Sequence, residues 1–177
     1  MPYEVFDLNP VDRITADAIG EPGKRVFYLQ ARQGHRLVTL ICEKDHIAAL
    51  ALAIDQVLLS LAEGKAEDAE DVAKPEPAIE GGMDLEYPLE PVFRAGQVNL
   101  GYDQVSQRLV VIAHELLDEG EDAEPSVARF WASLDQMRAF SIHGQQVVAA
   151  GRPRCAMCGE PIDPEGHFCP RRNGHRT

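Results

Sequence analysis

Arg25-Val26-Phe27-Tyr28-Leu29-Gln30-Ala31-Arg32-Gln33-Gly34-His35-Arg36-Leu37-Val38-Thr39-Leu40-Ile41-Cys42-Glu43 holds two runs of β-branched, aromatic and aliphatic residues around a glycine-bearing turn. Such residues fit a pleated, half-buried surface. Gly34 eases the reversal between them, so residues 25–32 and 36–43 read as a β-hairpin. Asp45 then offers an oxygen to cap a helix N-terminus. Beyond it Ile47, Leu50, Ala51, Ile54, Val57, Leu58 and Leu61 recur at helical spacing as far as Gly64. Residues 25–63 therefore read strand–strand–helix.

Working outward, residues 64–82 are acidic, with Pro75, Pro77 and Gly81-Gly82, and read as a solvated linker. Strand-like material resumes over 85–102 and 107–115. After the acidic stretch Asp118 to Glu124, Ser126 is placed to cap a second long helix running to about residue 149, before Gly151 and Pro153. The halves echo one another. Arg36 to Glu43 lies over Arg108 to Glu115, and Ile54-Asp55-Gln56-Val57 over Leu134-Asp135-Gln136-Met137. In that register Ile47, Leu50 and Ala51 match Val127, Phe130 and Trp131. The pattern suggests an internal ββα duplication over residues 25–63 and 92–150, although strand composition alone also creates such matches. The expected fold class is α+β: an antiparallel sheet from two β-hairpins with two long helices on one face, in a domain spanning 1–151. Val5 to Leu8 is left open as a further strand.

The 177-residue chain has 29 Asp and Glu against 17 Lys and Arg, for a net charge of −12. Most of its surface should repel phosphate backbones and anionic lipid. The exception is the tail after residue 151, where five Arg face three acids. The longest apolar run, Ile47 to Ile54, is shorter than the roughly 18 residues that a bilayer span needs. Met1 to Asp7 has neither a basic nor an apolar region of a secretory signal. Neither feature suggests a membrane. Three of the four cysteines fall in the last 23 residues, a pattern of metal ligands in a reducing, cytoplasmic setting.

The tail, residues 152–177, carries the clearest chemistry. Cys155-Ala156-Met157-Cys158-Gly159 has the spacing of two thiolates on one Zn²⁺, with Gly159 permitting the bend that aims N–H groups at sulfur. Turn-forming residues 160–166 can return Cys169 to the metal, and Asn173-Gly174 can do the same for His175. Cys155, Cys158, Cys169 and His175 then make a structural tetrahedral site, a small knuckle- or ribbon-like zinc module. His167 is the alternative fourth ligand. A single residue separates it from Cys169, tighter than the usual two to five, so spacing favours His175. A Cys155–Cys158 redox pair fits less well, because the motif follows a helix and Pro153 and leaves Cys169 unused. With little apolar content besides Ile162 and Phe168, this module would take its folding free energy from the metal.

Tyr3-Glu4-Val5-Phe6-Asp7-Leu8, Arg36-Leu37-Val38-Thr39-Leu40 and the Cys-x-x-Cys-Gly-x-Pro-Ile-Asp-Pro-Glu-Gly-His … Cys-Pro-x-x-Asn-Gly-His ending resemble a bacterial, mainly actinobacterial, family of domains of unknown function. The resemblance covers the whole chain and is most specific in the tail. It implies no activity, substrate or partner.

Elsewhere, Asp55-Gln56 and Asp135-Gln136 read as exposed helix positions. His114 lies in strand register with Val110 and Ile112 and reads as a buried, hydrogen-bonded histidine. Phe130, Trp131 and Met137 belong to the helical core stripe, and Cys42 reads as a small buried apolar residue. His35, His46 and His143 lack ligand spacing. No Gly-rich phosphate loop, Gly-x-Ser-x-Gly elbow or His-Glu-x-x-His occurs. The reading is a non-catalytic binding or adaptor protein with a protein partner. Two alternatives remain open. One is an enzyme with a cleft site near His114 or the Asp-Gln pairs. The other is weak nucleic-acid binding through Arg152, Arg154, Arg171, Arg172 and Arg176 with Phe168 as a stacking surface.

Overall fold

The computed structural model describes residues 3–64, 82–151, 153–162 and 166–173. Its elements in chain order are β1 (Val5–Leu8), β2 (Arg13–Ile19), β3 (Val26–Gln33), β4 (Arg36–Cys42), α1 (Lys44–Gly64), β5 (Pro91–Asp103), β6 (Arg108–Glu115), β7 (Val127–Ser133), α2 (Leu134–Ala149) and the single turn α3 (Pro170–Asn173). The hairpin read from residues 25–43 is β3 and β4, with Gln33 paired to Arg36 across the turn. The expected linker, apart from its ends at Gly64 and Gly82, lies outside the described residues.

The sheet is larger than two hairpins, and it is mixed. Its seven strands run in the order β1-β7-β6-β5-β4-β3-β2. β1 pairs with β7, and β4 with β5, in parallel; the other neighbours are antiparallel. Alternation along the strands sends Ile14 and Ala16, Leu29 and Ala31, Val38 and Leu40, Leu109 and Val111, and Ala128 and Phe130 into one continuous buried cluster. Ile47, Leu50 and Ile54 of α1 and Met137, Phe140 and Val147 of α2 join the same cluster, so both helices cover that face. They cross closely at Gly144, where a Cβ would stand 3.4 Å from Ile47 Cγ2. The sheet also curls: Val11 N–H, between β1 and β2, donates to the Trp131 carbonyl of β7 at 2.8 Å.

The expected helix from Ser126 is instead a strand followed by a helix. Residues 127–133 satisfy both periods: Val127, Phe130 and Trp131 fit a helical stripe, while Ala128, Phe130 and Ala132 alternate. The strand prevails because the helix start lies at Ser133. Its side chain accepts from Gln136 N–H while the Gln136 side chain accepts from Ser133 N–H, a reciprocal capping box. Phe130 and Met137 are buried as expected, but Trp131 faces away from the core and donates to Asp7 Oδ1 at 2.9 Å. At the other helix, Asp45 sits within the first turn of α1.

The ββα register does not survive this change. Each half is a three-stranded antiparallel meander leading into a helix, β2-β3-β4-α1 and β5-β6-β7-α2. The proposed match of β4 with β6 is therefore out of step by one strand, and Asp55, mid-helix, has no counterpart in Asp135 of the first turn of α2.

β2, β3 and β4 share an unanticipated polar face. Arg13, Thr15, Gln30 and Thr39 are buried on the side of the sheet away from the helices. There the chain after the linker satisfies them. Arg13 donates to the carbonyls of Gly82 and Asp84, and the Thr15 hydroxyl to Met83 at 2.6 Å. Gln30 exchanges bonds with the Glu86 backbone at 2.8 and 3.0 Å. α1 is long and apolar enough, by length and composition, to cross a membrane, though Ile47, Leu50, Ala51 and Ile54 belong to the core.

Candidate metal centre

The tail begins as a knuckle. Pro153 O accepts from Ile162 N–H at 2.7 Å, Glu160 O from Cys155 N–H at 2.8 Å, and Cys155 O from Gly159 N–H at 2.9 Å. Gly159 takes a φ of +77°, which glycine adopts without a Cβ penalty. This turn places the Cys155 and Cys158 thiols on one side. Residues 167–169 then bring back His167 and Cys169, which share a direction because they are two apart, while the intervening Phe168 is 73% exposed.

Ligand atoms of Cys155, Cys158, His167 and Cys169 all lie within 4.8 Å of one another, close enough to bind one metal ion. The spacings fit a tetrahedron. Zn–S near 2.3 Å and Zn–N near 2.05 Å give edges of ~3.8 Å between sulfurs and ~3.6 Å between sulfur and nitrogen. Cys155 and Cys169 Sγ are 3.8 Å apart, and Cys158 Sγ is 3.4 Å from His167 Nε2. All four cysteines are free thiols. The fourth ligand atom of this cluster is a nitrogen of His167, the alternative on spacing. The favoured His175 lies outside the described residues. The one-residue gap counted against His167 is no obstacle, because alternation aims both of its flanking residues the same way.

The thiols are not equivalent. N–H groups of Cys158 and Met157 directed at Cys155 sulfur bring its pKa down to about 7. The Glu160 N–H also favours the Cys158 thiolate, but burial and the sulfurs of Cys155 and Cys169 outweigh it and move that thiol up. Of these two thiols, Cys155 is the one that ionises more readily. Cys42, buried in the sheet as expected, is pushed up to about 12 by desolvation.

A family model described as "Protein of unknown function (DUF3090)" matches residues 6–169. The chain belongs to the DUF3090 family. The matched span includes Cys155, Cys158, His167 and Cys169. No curated protein and no solved structure matches the chain.

The other candidates are dispersed across this DUF3090 fold. His114 is half-buried on β6, on the face away from the helices, with Nδ1 buried and without a partner among the described residues. Asp55 is not a solvated position. It accepts from the Ser141 hydroxyl at 2.5 Å and from Gln145 Nε2 at 2.7 Å, tying α1 to α2. Gln136 caps α2 and also donates to the Val11 carbonyl at 3.1 Å, and Asp135 pairs with Arg138 at 3.8 Å. Asp55 and His114, on opposite sides of the sheet, do not form one cleft. His143, not flagged by spacing, lies 3.6 Å from Asp17.

Proposed function

We propose that this chain is a non-catalytic, cytoplasmic binding or adaptor protein whose tail is folded by one structural Zn²⁺ on Cys155, Cys158, His167 and Cys169. The convergence of three sulfurs and one imidazole nitrogen within 4.8 Å carries this reading. Thiolate-rich tetrahedral donor sets suit zinc, and four protein ligands leave no position for a reacting water. The complex would carry one net negative charge, which Arg154 and Arg171 stand close in sequence to offset. Beside it, Phe168 and Met157 are 73% and 49% exposed, a stiff apolar surface suited to a protein partner.

Cobalt substitution tests the ligand set, because tetrahedral thiolate coordination has ligand-field bands that octahedral oxygen coordination lacks. His167→Ala should alter those bands and His175→Ala should leave them intact; the reverse would assign the fourth position to His175. For the adaptor role, Phe168→Ser should release specific partners that the zinc-loaded wild type retains. Retention of every such partner after deletion of residues 152–177 would remove the tail from that role.

A further inference from the structure

A cavity of about 330 Å³ opens where the ends of β3 and β4, the start of α1, the end of α2 and the tail knuckle meet. At roughly 30 Å³ per water it has room for about ten waters, more than a bare inorganic ion fills. Its charge runs against the rest of the molecule. In a chain of net charge −12, the cations lining it are Arg25, Lys44, Arg94 and Arg154, against the single carboxylate of Glu43. Glu43 is already engaged by Arg94 at 3.2 Å. Among the described residues, Arg25, Lys44 and Arg154 have no carboxylate partner. Arg25 instead donates to the Val147 carbonyl at 2.9 Å and lies over the Phe27 ring, so its guanidinium is held in place.

These cations converge. A Cβ on Gly151 would stand 3.0 Å from an Arg25 terminal nitrogen and 3.2 Å from Lys44 Nζ, so two positive groups gather about one point. Like charges brought together in a concave site, with its one carboxylate, Glu43, engaged by Arg94, focus a positive potential. The positive end of α1 borders the same space, while the negative end of α2 opposite it is met by Arg25 at the Val147 carbonyl. Cations on several sides suit a tetrahedral oxyanion, whose oxygens project in all directions, better than a planar carboxylate. Arginine forks and a lysine point charge are the usual combination for phosphoryl oxygens.

We infer that this cavity binds a small molecule bearing a phosphoryl or diphosphoryl group, held by Arg25, Lys44 and Arg94 of the body with Arg154 of the tail closing one side. Three of the four cations belong to the body, so the inference stands even if the metal assignment fails.

The test is calorimetric titration of the full-length, metal-replete protein with inorganic pyrophosphate, with citrate as a polycarboxylate of comparable charge. Saturable pyrophosphate binding is expected, at least tenfold tighter than citrate, and weakened tenfold or more in a Lys44→Gln/Arg94→Gln double variant. Both substituted side chains are exposed, and circular dichroism should show an unchanged fold. No saturable binding at millimolar pyrophosphate, unchanged binding in the double variant, or equal affinity for citrate would each overturn the inference.

Discussion

In the body, buried apolar side chains from Leu8 to Val147 form one cluster shared by seven strands and two helices. In the tail, Cys169 is the buried side chain among the described residues, and backbone turns aim ligand atoms inward in place of a core. The body's stabilisation is distributed over many contacts, so removing one side chain costs a fraction of it. With the metal proposed above, the tail would depend on a single centre with four strong bonds, and loss of one ligand would remove most of what folds it.

The comparison breaks most visibly under chelation. Metal removal should cost the tail about 10–16 kcal/mol of folding free energy, the range for small zinc modules. Limited proteolysis should then cut between Arg154 and Arg171, while the body's thermal transition stays in place. Cys158→Ser should reproduce this without chelator. If body and tail melted together, they would form one cooperative unit.

Phe140→Ala sharpens the contrast from the other side. A fully buried phenylalanine on α2 should cost about 3–5 kcal/mol in urea unfolding of the body, with the metal stoichiometry unchanged. Asp55→Ala leaves the buried Ser141 hydroxyl to donate to the Ala51 carbonyl alone, still accepting from Gln145, and cuts the Asp55–Gln145 tie between the helices, for a loss of about 1–3 kcal/mol. Ser133→Ala, which removes one half of the capping box, should cost about 1 kcal/mol.

The cysteines report the same division. After chelation, a thiol reagent at neutral pH should modify Cys155, Cys158 and Cys169 quickly and Cys42 only on unfolding of the body. The sign of the Cys42 effect follows from its raised pKa. The buried thiol must stay protonated, so its contribution is intact below the ordinary value of 9.0 and is lost as pH rises toward about 12. Alkaline titration of the body should therefore show destabilisation in that window, and Cys42→Ala should remove this component.

Parts of this architecture are readable from residues alone, and the reasons are local. β3, β4 and α1 are legible because the apolar period switches from two to 3.6 across Glu43-Lys44. β2 is hidden because its partner face, Arg13 and Thr15, is polar yet buried, satisfied by residues 82–84 nearly seventy positions away. β7 carries both periods at once, and Ser133-x-x-Gln136 is the signal that separates them. In the tail, the three cysteines declare themselves by spacing. His167 reads there only as an alternative to His175, because its place beside them rests on alternation in the extended chain. The cationic cavity is assembled from five separate segments, and no window of sequence contains it.

Native mass spectrometry of protein prepared without chelator tests the central claim most directly. One zinc ion per chain is expected, with its mass lost on Cys158→Ser. A wild-type chain at its metal-free mass, or one lighter by two hydrogens through a Cys155–Cys169 disulfide, would contradict it.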